Sequence, residues 1–96
     1  MQIDKLRDDQ LDELFDAMLS LKTREEYYQF FDDLATMNEI NSLKQRFQVA
    51  KLLSEGSTYN TIEKETKAST ATISRVRRCI DYGSGGYQLV LERLNK

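Results

Sequence analysis

The sequence predicts an all-α fold of about six helices that includes a helix-turn-helix. Three observations lead there. Apolar residues recur at spacings of three, four and seven, and no segment alternates with period two for long enough to make a strand. Thr23–Glu26 and Thr36–Glu39 place glutamate three residues after threonine, just ahead of an apolar run, which is the local chemistry of a helix start. The stretch 58–80, TYNTIEKETKASTATISRVRRCI, reads as two short helices joined by a tight turn.

Residues 1–8 are charged and expected to fray. The first helix is expected over about Asp9 to Lys22, with Asp8 or Asp9 as cap and Leu11, Leu14, Phe15, Met18 and Leu19 on one face. A second, capped by Thr23 with Glu26 reaching back, runs to about Ala35 and shows Tyr27, Phe30, Phe31 and Leu34 on its apolar side. The third, capped by Thr36, runs to about Glu55. It carries Ile40, Leu43, Phe47, Ala50 and Leu53, and Gly56 supplies a left-handed C-cap. Thr58 then caps a helix of about two turns, with Ile62, Thr66 and Ala68 inward. Ser69 caps the next, where Ile73, Val76 and Ile80 make one buried stripe. Gly83 stops that helix, 84–86 form a flexible joint, and a last short helix covers about Tyr87 to Leu94.

The 96 residues make a single domain, 1–96. Residues 1–56 are read as dimerisation helices, 57–82 as the helix-turn-helix, and 83–96 as the joint and C-terminal helix. The first two helices are amphipathic and rich in aromatic residues, yet a chain this short has limited core to receive them. Their apolar faces are therefore expected to pack against a second copy of the chain, with a self-contained monomeric bundle as the alternative.

Composition excludes several classes. With no histidine and one thiol, Cys79, neither a His-based triad nor a zinc site can be assembled, so no catalytic residue, metal or cofactor is expected and no enzyme reading has support. Nothing has the apolar length of a membrane span, the acidic start does not resemble a signal peptide, and a lone cysteine suits a reducing compartment. A cytoplasmic location is expected.

A net charge of −2 and a pI near 5.1 argue at first against nucleic acid as a partner. The distribution reverses that argument. Residues 1–56 hold 7 basic and 12 acidic side chains, net −5, while residues 57–96 hold 7 basic and 4 acidic, net +3. Lys67, Arg75, Arg77 and Arg78 fall in a run that contains no acid. Thr70, Ala71 and Ser74 point away from the buried stripe, with the three arginines on the flanks. Small donors and methyls that can meet base edges, beside cations for phosphates, are what a recognition helix in a major groove requires. A second reading, from a different class, is a helical dimeric interaction module without an operator of its own; the acidic pI and Glu63 favour it.

Leu34-Ala35-Thr36 before the third helix, Arg46 in its middle, its end Leu52 to Gly56, the run Ala71 to Arg75, and a glycine-containing joint before a last helix together resemble the Trp repressor family, and more closely its shorter YerC/YecD-like bacterial members. The resemblance covers about Leu34 to Leu94. It implies an intertwined all-helical homodimer whose two helix-turn-helix units enter successive major grooves of double-stranded DNA at a palindromic operator. It places base contacts on Thr70, Ala71 and Ser74, and backbone contacts on Tyr59 and Asn60. Glu63 stands where the Trp repressor has a lysine, and Lys67 where such turns commonly have glycine.

The same resemblance implies a candidate effector pocket of Thr36, Arg46, Arg75, Val76 and Cys79. Arg46 and Arg75 match the arginines that sandwich an indole and bind its carboxylate, and Thr36 matches a threonine capping the neighbouring helix. Val76 replaces a glycine that leaves room for the ring, and Cys79 replaces a serine that helps hold the amino group. L-tryptophan is therefore not expected as the effector, while another small molecule stays open.

Overall fold

The computed structural model describes residues 2–95. Among them are a short 3-10 helix, Gln2–Lys5, and six α-helices: α1 Asp9–Leu19, α2 Arg24–Leu34, α3 Met37–Ser54, α4 Tyr59–Thr66, α5 Thr70–Tyr82 and α6 Gly86–Leu94. The described residues contain no strand, and no helix among them is long and apolar enough to cross a membrane.

The helix starts follow from side-chain oxygens placed three residues ahead of an orphan backbone N–H. The Asp8 carboxylate accepts from the Leu11 N–H at 3.0 Å, Thr23 Oγ1 from Glu26 at 3.2 Å, and Thr36 Oγ1 from Glu39 at 3.2 Å. Only the Thr36 box is reciprocal in the expected sense, because the Glu39 carboxylate accepts back from the Thr36 N–H at 2.9 Å. That backbone bond, helped by the Thr36 hydroxyl, holds the Glu39 carboxyl below its ordinary pKa against a small opposing effect of burial. At α2 the Glu26 carboxylate reaches one residue further and accepts from the Lys22 N–H at 2.7 Å.

That bond also accounts for a correction. α1 stops at Leu19 instead of continuing to Lys22. Ser20 turns its hydroxyl onto the Ala17 carbonyl at 2.6 Å, and the Lys22 N–H is already taken by the cap of α2. Two smaller differences concern the ends. The start of the chain carries the 3-10 turn, with Arg7 Nε 3.0 Å from Asp4, where fraying was expected. α6 begins at Gly86, one residue before Tyr87.

The chain divides into two compact units, one up to Ile40 and one from Asn41 onward, so the division falls inside α3 and ahead of Gly56. In the first unit the Tyr27 hydroxyl donates to the Met18 carbonyl at 3.2 Å, linking α2 to α1, and no residue of either helix is buried.

The second unit holds the core. Val49, Ala50, Leu53, Ile62, Ala68, Ile73 and Val76 are buried together, with Leu52, Ile80 and Tyr87 packed against them. α3 ends in a Schellman turn: the Ser57 N–H donates to the Leu52 carbonyl at 3.0 Å, Gly56 donates to Leu53 at 3.1 Å, and Gly56 takes φ +84°. The apolar side expected of α3 is only partly inward. Ala50 and Leu53 are buried, Leu43 is 52 % exposed, and Val49 is fully buried. At the end of α5 the backbone itself demands glycine, since a Cβ on Gly83 would sit 2.3 Å from the Cys79 carbonyl oxygen.

Candidate nucleic-acid interface

α4 and α5 form a helix-turn-helix braced from below. Ile62 of α4 and Ile73 and Val76 of α5 are buried in one cluster, so the two helices share a floor. The turn between them is set by Lys67, which takes φ +61° and donates its N–H to the Glu63 carbonyl at 2.9 Å. The left-handed conformation costs a non-glycine residue roughly 1–2 kcal/mol, so the surrounding bonds must hold it. Thr66 does so. Its hydroxyl donates to the Ile62 carbonyl at 2.7 Å and accepts from the Ala68 N–H at 3.1 Å, while its carbonyl accepts from Gln45 Nε2 of α3 at 3.0 Å.

Ser69 Oγ then accepts from the Thr72 N–H at 3.1 Å and starts α5. With Ile73 and Val76 inward, the 100° advance per residue turns the opposite face to solvent. Ala71, Arg75 and Arg78 are exposed there, Thr70 and Arg77 are exposed on its flank, and Ser74 is half-buried. Tyr59 and Asn60 are exposed on the first turn of α4, ahead of which Thr58 Oγ1 accepts from the Thr61 N–H at 3.2 Å. Every residue assigned to this surface from the sequence therefore lies on exposed or half-buried parts of α4 and α5.

Two acidic side chains join them: Glu63, which the sequence already set against the phosphates, and Asp81, which sequence reasoning left out. Asp81 binds Arg77 through both oxygens, Nε at 3.1 Å and Nη2 at 3.2 Å, an exposed i, i+4 pair of the kind worth less than about 1 kcal/mol. Arg77 must leave that pair, or share it, to reach a phosphate. Arg75 and Arg78 form no ion pair among the described residues. Glu63 of α4, half-buried, accepts from the Thr70 hydroxyl at 2.9 Å, which brings a carboxylate to the front of α5. The Arg77–Asp81 spacing was visible in the sequence as an i, i+4 pair; Glu63–Thr70 has no such periodic signal.

Four of the five candidate effector residues lie in the second unit. Arg46, Arg75 and Cys79 are exposed, whereas Val76 is 2 % exposed and belongs to the core. Thr36 lies in the first unit, with its hydroxyl engaged at the α3 cap. A residue absent from the sequence-based set joins Arg46, Arg75 and Cys79: Tyr87, at the start of α6, packs on the core cluster. Burial pushes its phenol above the ordinary tyrosine range; Cys79 adds to that, and the positive fields of Arg46 and Arg75 oppose it. A planar side chain of the protein itself thus sits in the field of the two arginines. α6 is held there by Gln88 Nε2, which donates to the Ile80 carbonyl at 3.2 Å.

The family model described as Trp repressor protein matches residues 9–95. YerC of Bacillus subtilis (strain 168) is 60% identical over 96 residues, covering 100% of this chain and 92% of that protein. A structure described as "a putative Trp repressor from Staphylococcus aureus" superposes with a TM-score of 0.93 at 62% identity, over 99% of this chain and 95% of the other. A TrpR like protein from Eubacterium eligens ATCC 27750 gives a TM-score of 0.92 at 54% identity, over 96% and 95%.

Proposed function

The chain belongs to the Trp repressor family, and from that premise we propose that it is a sequence-specific DNA-binding transcriptional regulator, acting as a repressor, that reads the major groove with α5. The observation that carries this reading is the exposed face of α5, where Thr70, Ala71 and Ser74 stand beside Arg75, Arg77 and Arg78 on a helix whose other side is locked into the core. Backbone contacts fall to Tyr59 and Asn60 at the start of α4. The working unit is a cytoplasmic homodimer, each copy a single domain in which 1–56 dimerise, 57–82 bind DNA and 83–96 close the fold. A two-fold dimer matches a palindromic operator.

The regulator needs no L-tryptophan to bind DNA. Val76 fills core space that an indole would require, and forcing a ring against a packed branched side chain costs about 1–3 kcal/mol.

Selection of bound sequences from a random duplex pool tests the function, with calorimetric titration of L-tryptophan beside it. A palindromic consensus without the amino acid is expected. A pool without consensus would favour an interaction module instead, and sub-millimolar L-tryptophan binding that tightens DNA binding would restore an effector-dependent mechanism.

A further inference from the structure

We infer that Glu63 and Thr70 act together as one acceptor-only reader, selecting a cytosine in each half-site through its exocyclic amine; the inference rests on the DNA-reading function of α5.

The argument starts from the hydrogen bond between them. A threonine hydroxyl has one proton to donate and two lone pairs. Here the proton is directed at Glu63 Oε1 across 2.9 Å. What Thr70 can still offer a base is acceptor capacity alone, and an ionised carboxylate offers nothing else. Glu63 is also fixed in place. It is half-buried on α4, its own carbonyl accepts from the Lys67 N–H that closes the turn, and its carboxylate is tethered to the first residue of α5. A spacing of four puts Ser74 one turn behind Thr70, so the carboxylate lies at the leading end of the flank that carries the other base-facing hydroxyl.

Base edges in the major groove then discriminate. Guanine presents two acceptors, N7 and O6, and thymine presents O4, all of which meet an acceptor-only pair unfavourably. Adenine offers its N6 amine beside the N7 acceptor. Cytosine offers the N4 amine with no acceptor of its own on that edge, and carboxylate to cytosine N4 is an established pairing geometry. A carboxylate near the duplex also lowers affinity for every sequence through phosphate repulsion, so what Glu63 gains is discrimination at the expense of general binding.

The test is parallel selection from a random duplex pool with the wild-type dimer, Glu63→Gln and Thr70→Val. The wild type is expected to prefer cytosine by about ten-fold at one position per half-site. Glu63→Gln, which keeps size and adds donors, should flatten that position, retain the rest of the consensus and bind duplexes without the cytosine at least as tightly. Thr70→Val, which releases the carboxylate, should weaken the same preference in part. A cytosine preference unchanged in either variant overturns the coupled reader. Loss of all binding by Glu63→Gln with its helical circular dichroism and unfolding midpoint unchanged also overturns it, because one reader worth about ten-fold at a single base pair cannot be what holds the whole duplex. A wild-type pool without any consensus instead overturns the sequence-reading function, and the inference with it.

Discussion

From Asn41 onward seven residues, Val49 to Val76 in the core cluster, are at most 7 % exposed; up to Ile40 no described residue is buried, although that stretch carries Phe15, Met18, Tyr27, Phe30 and Phe31. Phe15 remains 49 % exposed and Tyr28 68 %. The two units differ as sharply in charge. Up to Ile40 there are 11 acidic and 4 basic residues, net −7; from Asn41 there are 5 and 10, net +5. Three helices and most of a fourth can enclose a small core, whereas two helices of 11 residues can only present one face each. The lesson is a division of labour. The second unit holds the buried core and the basic surface, and the first carries the exposed apolar area that the proposed homodimer would bury, at about 25 cal/mol per Å².

The sharpest way to break this contrast is to damage each unit separately. Ile62→Ala, at a fully buried site, should destabilise the protein by about 2–5 kcal/mol in urea titrations, with little dependence on protein concentration. Phe31→Asp should act through association. Sedimentation equilibrium of the wild type should give twice the 11.2 kDa chain mass, and the variant should shift toward a single chain, with a stability that rises with concentration. A well-folded wild-type monomer at micromolar concentration would erase the distinction between the units.

The charge contrast predicts a smaller but well-defined change. Arg77→Ala together with Arg78→Ala should lower the slope of log affinity against log salt by about two units per half-site, about four for the dimer, and weaken all duplexes alike. An unchanged slope would mean that the basic surface of the second unit is not what meets the phosphates.

The turn tests how tightly the second unit is over-determined. Lys67→Gly removes the steric cost of φ +61°, offset in part by the entropy of glycine in the unfolded chain, and should stabilise by about 0.5–1 kcal/mol in thermal unfolding. Destabilisation would show that the lysine side chain itself braces the turn.

The smallest effect belongs to the first unit and to acid. Glu39 has its folded pKa held below the ordinary 4.5 by the Thr36 cap. Its contribution is therefore fully present above that ordinary value and is lost as pH falls through the lower folded one. Stability measured on a series from neutral to acid pH should fall less steeply in Glu39→Gln than in the wild type over that window.

The helix starts were legible because their chemistry is local. Asp8, Thr23, Thr36, Thr58 and Ser69 each cap an N–H three residues on, a relation written directly in the chain. The face of α5 was legible for the same reason, since the helical period that groups Ile73 and Val76 on the buried side leaves Ala71, Arg75 and Arg78 on the other. Less of α3 was, because Val49 and Ala50 are adjacent and both buried while Leu43 is half exposed. An apolar stripe says that a face is buried but not how wide the packed contact is.

By itself the sequence determined the helices, their caps, the buried stripe of α5 and the segregation of charge. Each of these depends on residues within a turn or two of one another, or on composition alone. Only the tertiary structure decided that Glu63 reaches Thr70, that Gln45 closes the end of α4, and that Tyr87 shares the surroundings of Arg46, Arg75 and Cys79. Those relations join different helices across 7 to 41 residues. Their distances are set by how the side chains of the core fill the space between helices, and no local periodicity encodes that volume.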